Sequence, residues 1–422
     1  MRLLILLFVF TIFSLKAQDA FNLGKNHLNQ LASDEMKVRG YVHNGYETAV
    51  KYVEKEFSKA GLKKFGKSFR QPFTYPVNSF PDSVSVAIDD KYLDPGEDYI
   101  IDPYSGSEQG TFKPLYFSLE KFYDKIEPIL DENTIVVVEP LNPKLNKDSL
   151  QFVKQQLAKF NSRVPIIFLK NTKFVWSVGD FAWQHARIEL KAEKFDTTVK
   201  SIRLNICHFF QNRFQSYNVI GYQKAIKKSD QFIVITAHLD HLGMMGSKSI
   251  FNGANDNASG IAMLLTLVEH YKKRKPKMNI VFIAFGGEEA GLLGSKYFVE
   301  NPLFELGKIK FLLNLDLMGT GDDGITVVNA TKFEKEFEYL KKINTESNYL
   351  SAIKPRGEAR NSDHYWFTQF GVRAFFIYTM GGTTYYHDTH DRPEQLPLTK
   401  FNELHELFTD FIDGIIDGKA NP

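Results

Sequence analysis

Four predominantly apolar runs in the second half of this chain each lead into an acidic or imidazole side chain, and that repetition restricts the possible folds more than any other feature. Ala237-His238-Leu239-Asp240 follows 232–236, Gly286-Gly287-Glu288-Glu289 follows 280–285, Asp316 follows 311–315, and His387 sits on the loop beyond 375–378. Between the runs lie stretches of helical period: 259–271 carries Ile261, Leu264, Leu265 and Val268 on one face, and 398–416 carries Phe401, Leu404, Phe408, Phe411, Ile412 and Ile415. Continuous apolar strands alternating with helices imply an α/β fold whose mostly parallel central sheet is covered on both faces. In such sheets, ligands bind in the crevice outside the carboxyl ends of the strands, so residues distant in sequence converge there.

The polar residues at these ends are oxygen and nitrogen donors of the kind that hard or borderline divalent cations need. His238 and Asp240 stand two apart, which on an extended segment puts both on one face and lets the Asp240 carboxylate steady the second ring nitrogen of His238. An isolated His-x-Asp is more often a surface histidine; here its company argues otherwise. Asp256, in Asn255-Asp256-Asn257-Ala258-Ser259-Gly260, has the ordinary alternative of capping the helix that follows, although a carboxylate there can also bridge two cations. Glu288 and Glu289 are unexpected at the end of a buried strand unless a cation neutralises one of them, leaving its neighbour free to accept a proton. Paired glutamates also suit an exposed helix start. Asp316 closes an apolar strand, where aspartate is seldom left unpaired. His387 and His390 share one loop, and spacing does not choose between them.

The amino-terminal end and the middle have a different texture. Residues 1–17 place Arg2 before an apolar stretch too short to span a bilayer, closed by Lys16-Ala17, which reads as a cleaved export signal. The expected destination is the periplasm or the medium, with no stable membrane insertion after cleavage. Removing Arg2 and Lys16 from the 52 basic residues leaves 50, equal to the 50 acidic ones, so the mature chain lacks the positive field that nucleic-acid binding requires. Cys207 is the only cysteine, so packing and any bound metal must hold the fold without an internal disulfide. Residues 18–72 open with amphipathic helices; Tyr46, Ala49, Val50, Val53 and Phe57 recur at helical steps and Gly61 stops them. From 73 to 199, short runs at 83–88, 134–138 and 164–169 are broken by Pro81, Pro95, Pro103 and Pro140, with one helix expected at 149–160. We read 73–199 as a β-rich insert whose aromatics, Trp176 and Trp183 among them, form its own core, and 200–422 as the domain that carries the chemistry.

Taken together the motifs resemble peptidase family M28, the co-catalytic zinc aminopeptidases. Ala-His-Leu-Asp, Asn-Asp-Asn-Ala-Ser-Gly, Gly-Glu-Glu-Ala-Gly-Leu-Leu-Gly-Ser, Asn-Leu-Asp and Tyr-His occur in that family's order from about Ser216 onward, and Arg39-Gly40 with Ala60-Gly61-Leu62 is similar to its opening. The resemblance implies a phosphorylase/hydrolase-like zinc exopeptidase fold, two zinc ions and peptide substrates. It implies that Asp256 bridges the ions, that Glu289 and His387 complete one and His238 and Asp316 the other, that Glu288 is the general base and that Asp240 orients His238. The last motif departs from the family's Tyr-His-Thr-Pro-x-Asp, since Asp388-Thr389 replaces Thr-Pro. Asp391 keeps its place four residues after His387, which favours His387 over His390. The β-rich stretch resembles a protease-associated or lid domain. Two other readings compete: a single-zinc glutaminyl cyclase on the same fold, and a binding module on a retired scaffold. The second is disfavoured because every ligand and base position is filled.

Overall fold

The computed structural model describes residues 20–118, 130–140 and 163–420, with isolated positions 148, 151 and 155. The expected leader at 1–17 and nearly all of the expected helix at 149–160 lie outside the described residues. Helix α1 (20–31) and helix α2 (Gly45–Ala60) come first. α2 buries Tyr46, Ala49, Val50, Val53 and Phe57, the residues whose spacing marks the helix, and it ends where Gly61 turns left-handed at φ 74° and donates to the carbonyls of Phe57 and Ser58.

Strand β1 (Arg70–Ser79) then enters one sheet, and the chain leaves to build another. The second sheet contains β2 (Val84–Ile88), β3 (Lys91–Tyr92), β4 (Tyr99–Ile101), β5 (Glu108–Phe117), β6 (Thr134–Val138), β7 (Ile166–Lys170), β8 (Arg187–Lys191) and β9 (Ile202–Ile206), in the order β3-β2-β9-β5-β6-β7-β8-β4. The chain returns as β10 (Phe209–Gln223), with Ser79 directly opposite Phe209, so the excursion begins and ends on paired neighbours. The second sheet therefore falls between Ser79 and Phe209, somewhat later than the 73–199 composition shift. β1 has the same β-rich texture as the strands beyond it but pairs with β10 in the first sheet. Trp176 is buried in the core of this second sheet and stacks on Phe251 at 4.6 Å.

The first sheet is completed by β11 (Phe232–His238), β14 (Asn279–Phe285), β15 (Ile309–Asp316), β16 (Ile325–Val328), β17 (Ile353–Arg356) and β18 (Ala374–Thr379), while β12 (Gly243–Met245) and β13 (Ser249–Phe251) form a separate hairpin. The order is β1-β10-β14-β11-β15-β18-β16-β17. β14, β11, β15 and β18 run parallel in its middle; β10 pairs antiparallel with β14, and β16 antiparallel with β18. Alternation along β14 sends Ile280, Phe282 and Ala284 into the larger core and Val281, Ile283 and Phe285 into the opposite one. The first core is covered by α2, α3 (Gly260–Lys273) and α7 (Phe401–Ile416). The second is covered by α4 (Leu293–Glu300) and α6 (His364–Gln369), and α5 (Glu334–Ser347) packs on α7. Strands buried on both faces are apolar along most of their length, and the polar pair within them, Thr236 and Asn314, bonds to itself at 2.7 Å, so the unpartnered polar groups are left to the strand ends. Among the described residues, no helix is long and apolar enough to cross a membrane.

Candidate metal centre

β11 ends on His238, β15 on Asp316, and β14 runs into the turn that carries Glu288 and Glu289, so three parallel strands deliver four side chains to one edge. Asp256 reaches it from the turn before α3, where the Asp256–Asn257 peptide is cis, and His387 reaches it from the loop after β18. The structure brings all of these together. His238 Nε2 lies 3.2 Å from Asp256 Oδ1 and 3.4 Å from Asp316 Oδ2. His387 Nε2 lies 3.1 Å from Asp256 Oδ2 and 3.2 Å from Glu289 Oε2. Donor atoms of His238, Glu288 and Asp316, and those of His238, Asp256 and Glu289, fall within 4.8 Å of one another. His390 points elsewhere, with its Nε2 3.2 Å from Glu97 Oε1 of the second sheet's lobe.

Both imidazoles are held from behind by a carbonyl. His238 Nδ1 is 3.0 Å from the Asp240 carbonyl oxygen and His387 Nδ1 is 2.8 Å from that of Trp176. A carbonyl only accepts, so each Nδ1 carries a proton and each Nε2 is turned toward carboxylates. Burial disfavours a second proton, yet Asp316 and Glu288 hold His238 well above its usual pKa, and Glu289 and Asp256 do the same for His387. A divalent cation would displace those Nε2 protons. Asp256 Oδ1 and Asp316 Oδ1 are buried and accept no hydrogen bond, although His238 Nε2 is within 3.2 Å of the former. Atoms this close without hydrogen-bond alignment are aimed at a common third point, and the nitrogen and oxygen donors suit zinc. His238, Asp256, Glu289, Asp316 and His387 could thus hold metal.

Asp240 sits behind the site with a different role from the one its spacing suggests. Its carboxylate is 4.0 Å from His238 Nδ1, beyond hydrogen-bond reach, and the backbone carbonyl makes that contact instead. The carboxylate accepts from the backbone N–H of Glu288 at 3.1 Å and of Glu289 at 3.3 Å and from the Tyr41 hydroxyl at 2.8 Å. After the imidazole turns to the carbonyl, the buried carboxylate still needs donors, and the adjoining turn supplies them. Burial pushes Asp240 up to about 6. Burial likewise raises Glu288 well above the usual carboxylate range.

Several supports carried weak sequence signals. His241 Nδ1 is 2.7 Å from Glu289 Oε1. Asp391 accepts from the backbone N–H groups of Asn255 at 2.8 Å and Asp256 at 3.0 Å. Arg39, fully buried, donates to the carbonyls of Leu31, Leu239, Asn252, Gly253 and Asp256 and so ties two site loops together. Its signal was the Arg39-Gly40 pair: a Cβ on Gly40 would come within 2.2 Å of Gly243 Cα. Ser362 receives a hydrogen bond from Asn314 Nδ2 at 2.8 Å, and its Oγ is 3.5 Å from Asp316 Oδ2, so the Ser362-Asp363-His364 segment backs the site.

A cavity of about 300 Å³ opens on His238, Asp256, Glu288 and Asp316. Larger cavities of about 590 and 800 Å³ contain none of the metal-ligand candidates, nor Glu288 or Asp240.

The model of Peptidase family M28 matches residues 218–412. Aminopeptidase YwaD of Bacillus subtilis (strain 168) is 28% identical over 285 residues, covering 63% of this chain and 54% of its own length. A vacuolar membrane protease of Candida glabrata is 26% identical over 184 residues, 42% of this chain and 18% of its own. The chain therefore spans about half the length of the first of these curated relatives and under a fifth of the second. In fold it is similar to BSAP, a zinc aminopeptidase from Bacillus subtilis, with TM-score 0.68, 19% identity and 94% of both chains covered. It is also similar to the aminopeptidase from Aneurinibacillus sp. strain AM-1, with TM-score 0.61, 22% identity, and 96% of this chain and 94% of that one covered.

Proposed function

Residues 218–412 of this chain belong to peptidase family M28, and from that premise we propose that the protein is an exported two-zinc aminopeptidase that removes amino-terminal residues from peptides. The observation that carries the reading is the division of Asp256, whose Oδ1 faces His238 and whose Oδ2 faces His387. A carboxylate split between two imidazoles suits a bridge between two ions, with Asp316 completing the His238 side and Glu289 the His387 side. Zinc, when bound, supplies the positive charge that polarises a peptide carbonyl and eases the deprotonation of water. The arrangement before 1–17 ends, an apolar stretch closed by Lys16-Ala17, supports export.

The chain's own residues do the rest. Glu288 accepts the proton of the attacking water and returns it to the leaving amine, which its buried, raised carboxyl suits. Asp240 fixes the Glu288–Glu289 turn through two backbone N–H groups, so one glutamate faces the cavity while its neighbour faces His387. The carbonyls of Asp240 and Trp176 fix which ring nitrogen each histidine presents.

The test uses the zinc-loaded protein, a leucyl arylamide, a glutaminyl peptide and elemental analysis. Two zinc ions per chain are expected, and Glu288→Gln should keep them while kcat falls about a thousand-fold. Undiminished turnover in Glu288→Gln would reject the assignment of the base. One zinc per chain, with cyclised product from the glutaminyl peptide, would replace the aminopeptidase with a cyclase.

A further inference from the structure

Besides the proposed zinc ligands and Glu288, the cavity is lined by Leu317 and Phe376, which are apolar, and by Arg356, Asn361, Tyr378 and Tyr386. At about 300 Å³ the cavity is at the small end for ligand sites and suits one or two residues of a substrate. Arg356 is the last residue of β17, opposite Val328 of β16, which in turn pairs with Phe376 of β18. Its Nη1 donates to the Tyr378 hydroxyl at 3.0 Å, which anchors one corner of the guanidinium.

The neighbouring cations are otherwise engaged. Lys332 pairs with Glu358 at 2.6 Å, Arg373 pairs with Glu336 at 2.6 Å, and Arg360 lies over the rings of Tyr365 and Trp366 at 5.7 and 5.3 Å. Among the described residues, Arg356 has no acidic partner, and it is the one arginine or lysine that lines the cavity. A guanidinium is a planar fork matched to a carboxylate, and one of its five donors is already fixed by Tyr378.

We propose that Arg356 receives a carboxylate carried by the substrate, the aminopeptidase reading of the site being the premise. That carboxylate is either the side chain of an acidic amino-terminal residue or the terminal carboxyl of a dipeptide. An Arg356 that merely offset the charge of the site would affect all substrates alike, so the decisive quantity is a ratio between matched substrates.

The experiment measures kcat/KM on the zinc-loaded protein for glutamyl against glutaminyl arylamides, and for a leucyl dipeptide against its amide. Binding of free glutamate and glutamine is followed in parallel by calorimetry. In the wild type, one carboxylate-bearing member of a pair should be favoured by about ten-fold, as a charged hydrogen bond in a partly open cavity allows. Arg356→Gln should abolish that preference, and Arg356→Glu should reverse it toward a lysyl arylamide. A preference in the first pair assigns the acidic side chain; one in the second assigns the terminal carboxyl. Ratios near one in the wild type, or ratios unchanged in both variants, overturn the proposal while leaving the peptidase reading intact. If no arylamide or dipeptide is cleaved, the peptidase reading fails. Glutamate binding that exceeds glutamine binding and loses its margin in Arg356→Gln would still uphold the carboxylate site, and equal binding would overturn it.

Discussion

His241 has no place among the proposed ligands, yet its Nδ1 lies 2.7 Å from Glu289 Oε1 and it is fully buried. Burial lowers its pKa, so the neutral ring donates its one proton to the glutamate and fixes which oxygen Glu289 turns toward His387. Removing such a partner typically weakens a metal site 10- to 100-fold, so His241→Ala should loosen zinc by about that factor in a titration against a chelator. His241→Gln, whose amide can still donate, should recover part of the loss. An unchanged zinc affinity in His241→Ala would mean that Glu289 is held by its turn alone. The sequence made the convergence legible because His238, the Glu288–Glu289 pair and Asp316 each close an apolar run, a costly place for charge without a partner, whereas Asp256 and His387 sit in turns and joined the set through their motifs. It left His241, Asp391 and Arg39 in the background because their work is done through a neighbour's carboxylate or backbone, which no spacing rule encodes. Asp240 shows the limit in the other direction. A two-residue step put it near His238, but whether carbonyl or carboxylate meets the ring depends on the turn, and the Glu288 and Glu289 N–H groups took the carboxylate.

At the scale of elements, the join between β14 and α4 shows how narrowly the base is positioned. Leu293 N–H donates to the Gly287 carbonyl at 2.8 Å, while Asn218 Nδ2 donates to the Gly294 carbonyl at 2.9 Å and its Oδ1 accepts from Gly286 N–H at 3.3 Å. The turn bearing Glu288 and Glu289 is thereby pinned to β10. A Cβ on Gly294 would lie 2.1 Å from the Gly286 carbonyl oxygen and 2.4 Å from Asn218 Oδ1, and the nearer of these is backbone that cannot swing aside. Gly294→Ala should therefore cost about 2 kcal/mol in a denaturant melt, in the usual range for overpacking, and lower zinc affinity with it. Stability kept with affinity lost would place the effect in the turn alone, and neither loss would show that α4 yields freely. The helices and central strands were readable because period 3.6 and continuous apolar runs each have one economical packing. The antiparallel flanks were not, since neither the short apolar stretch 218–221 of β10 nor the Ile325–Val328 run of β16 carries any mark of strand direction. The edge of the second sheet was blurred for a similar reason, as β1 shares the composition of the lobe it precedes but takes its hydrogen bonds from β10.

The whole molecule is joined at the site itself. His387 N–H and carbonyl groups lie in a loop that the second sheet's lobe grips: Trp176 N–H donates to the His387 carbonyl at 3.0 Å, and the Trp176 carbonyl accepts from His387 Nδ1 at 2.8 Å. Lys173 donates to the Thr384 carbonyl at 2.8 Å and pairs with Asp388, while Glu97 accepts from the Thr389 hydroxyl at 3.0 Å. If His387 also holds zinc, one short loop is tied to both lobes through a single imidazole, and metal binding and lobe docking share free energy. Removing zinc should then speed hydrogen exchange in 381–391 and in 171–178 together, although no proposed ligand lies in the second stretch. Strands β5 and β9, whose amides bond to each other along the pairs Glu108 with Ile206 to Phe112 with Ile202, should exchange at their former rates. Faster exchange in 381–391 alone would mean that the lobe's grip is independent of the metal. Equal acceleration throughout the second sheet would mean that zinc stabilises the lobe as a whole and not through Trp176. The coupled outcome requires that the tryptophan carbonyl hold the ring in the orientation the ion needs, so His387→Ala in the zinc-loaded protein should reproduce the effect of chelation in 171–178.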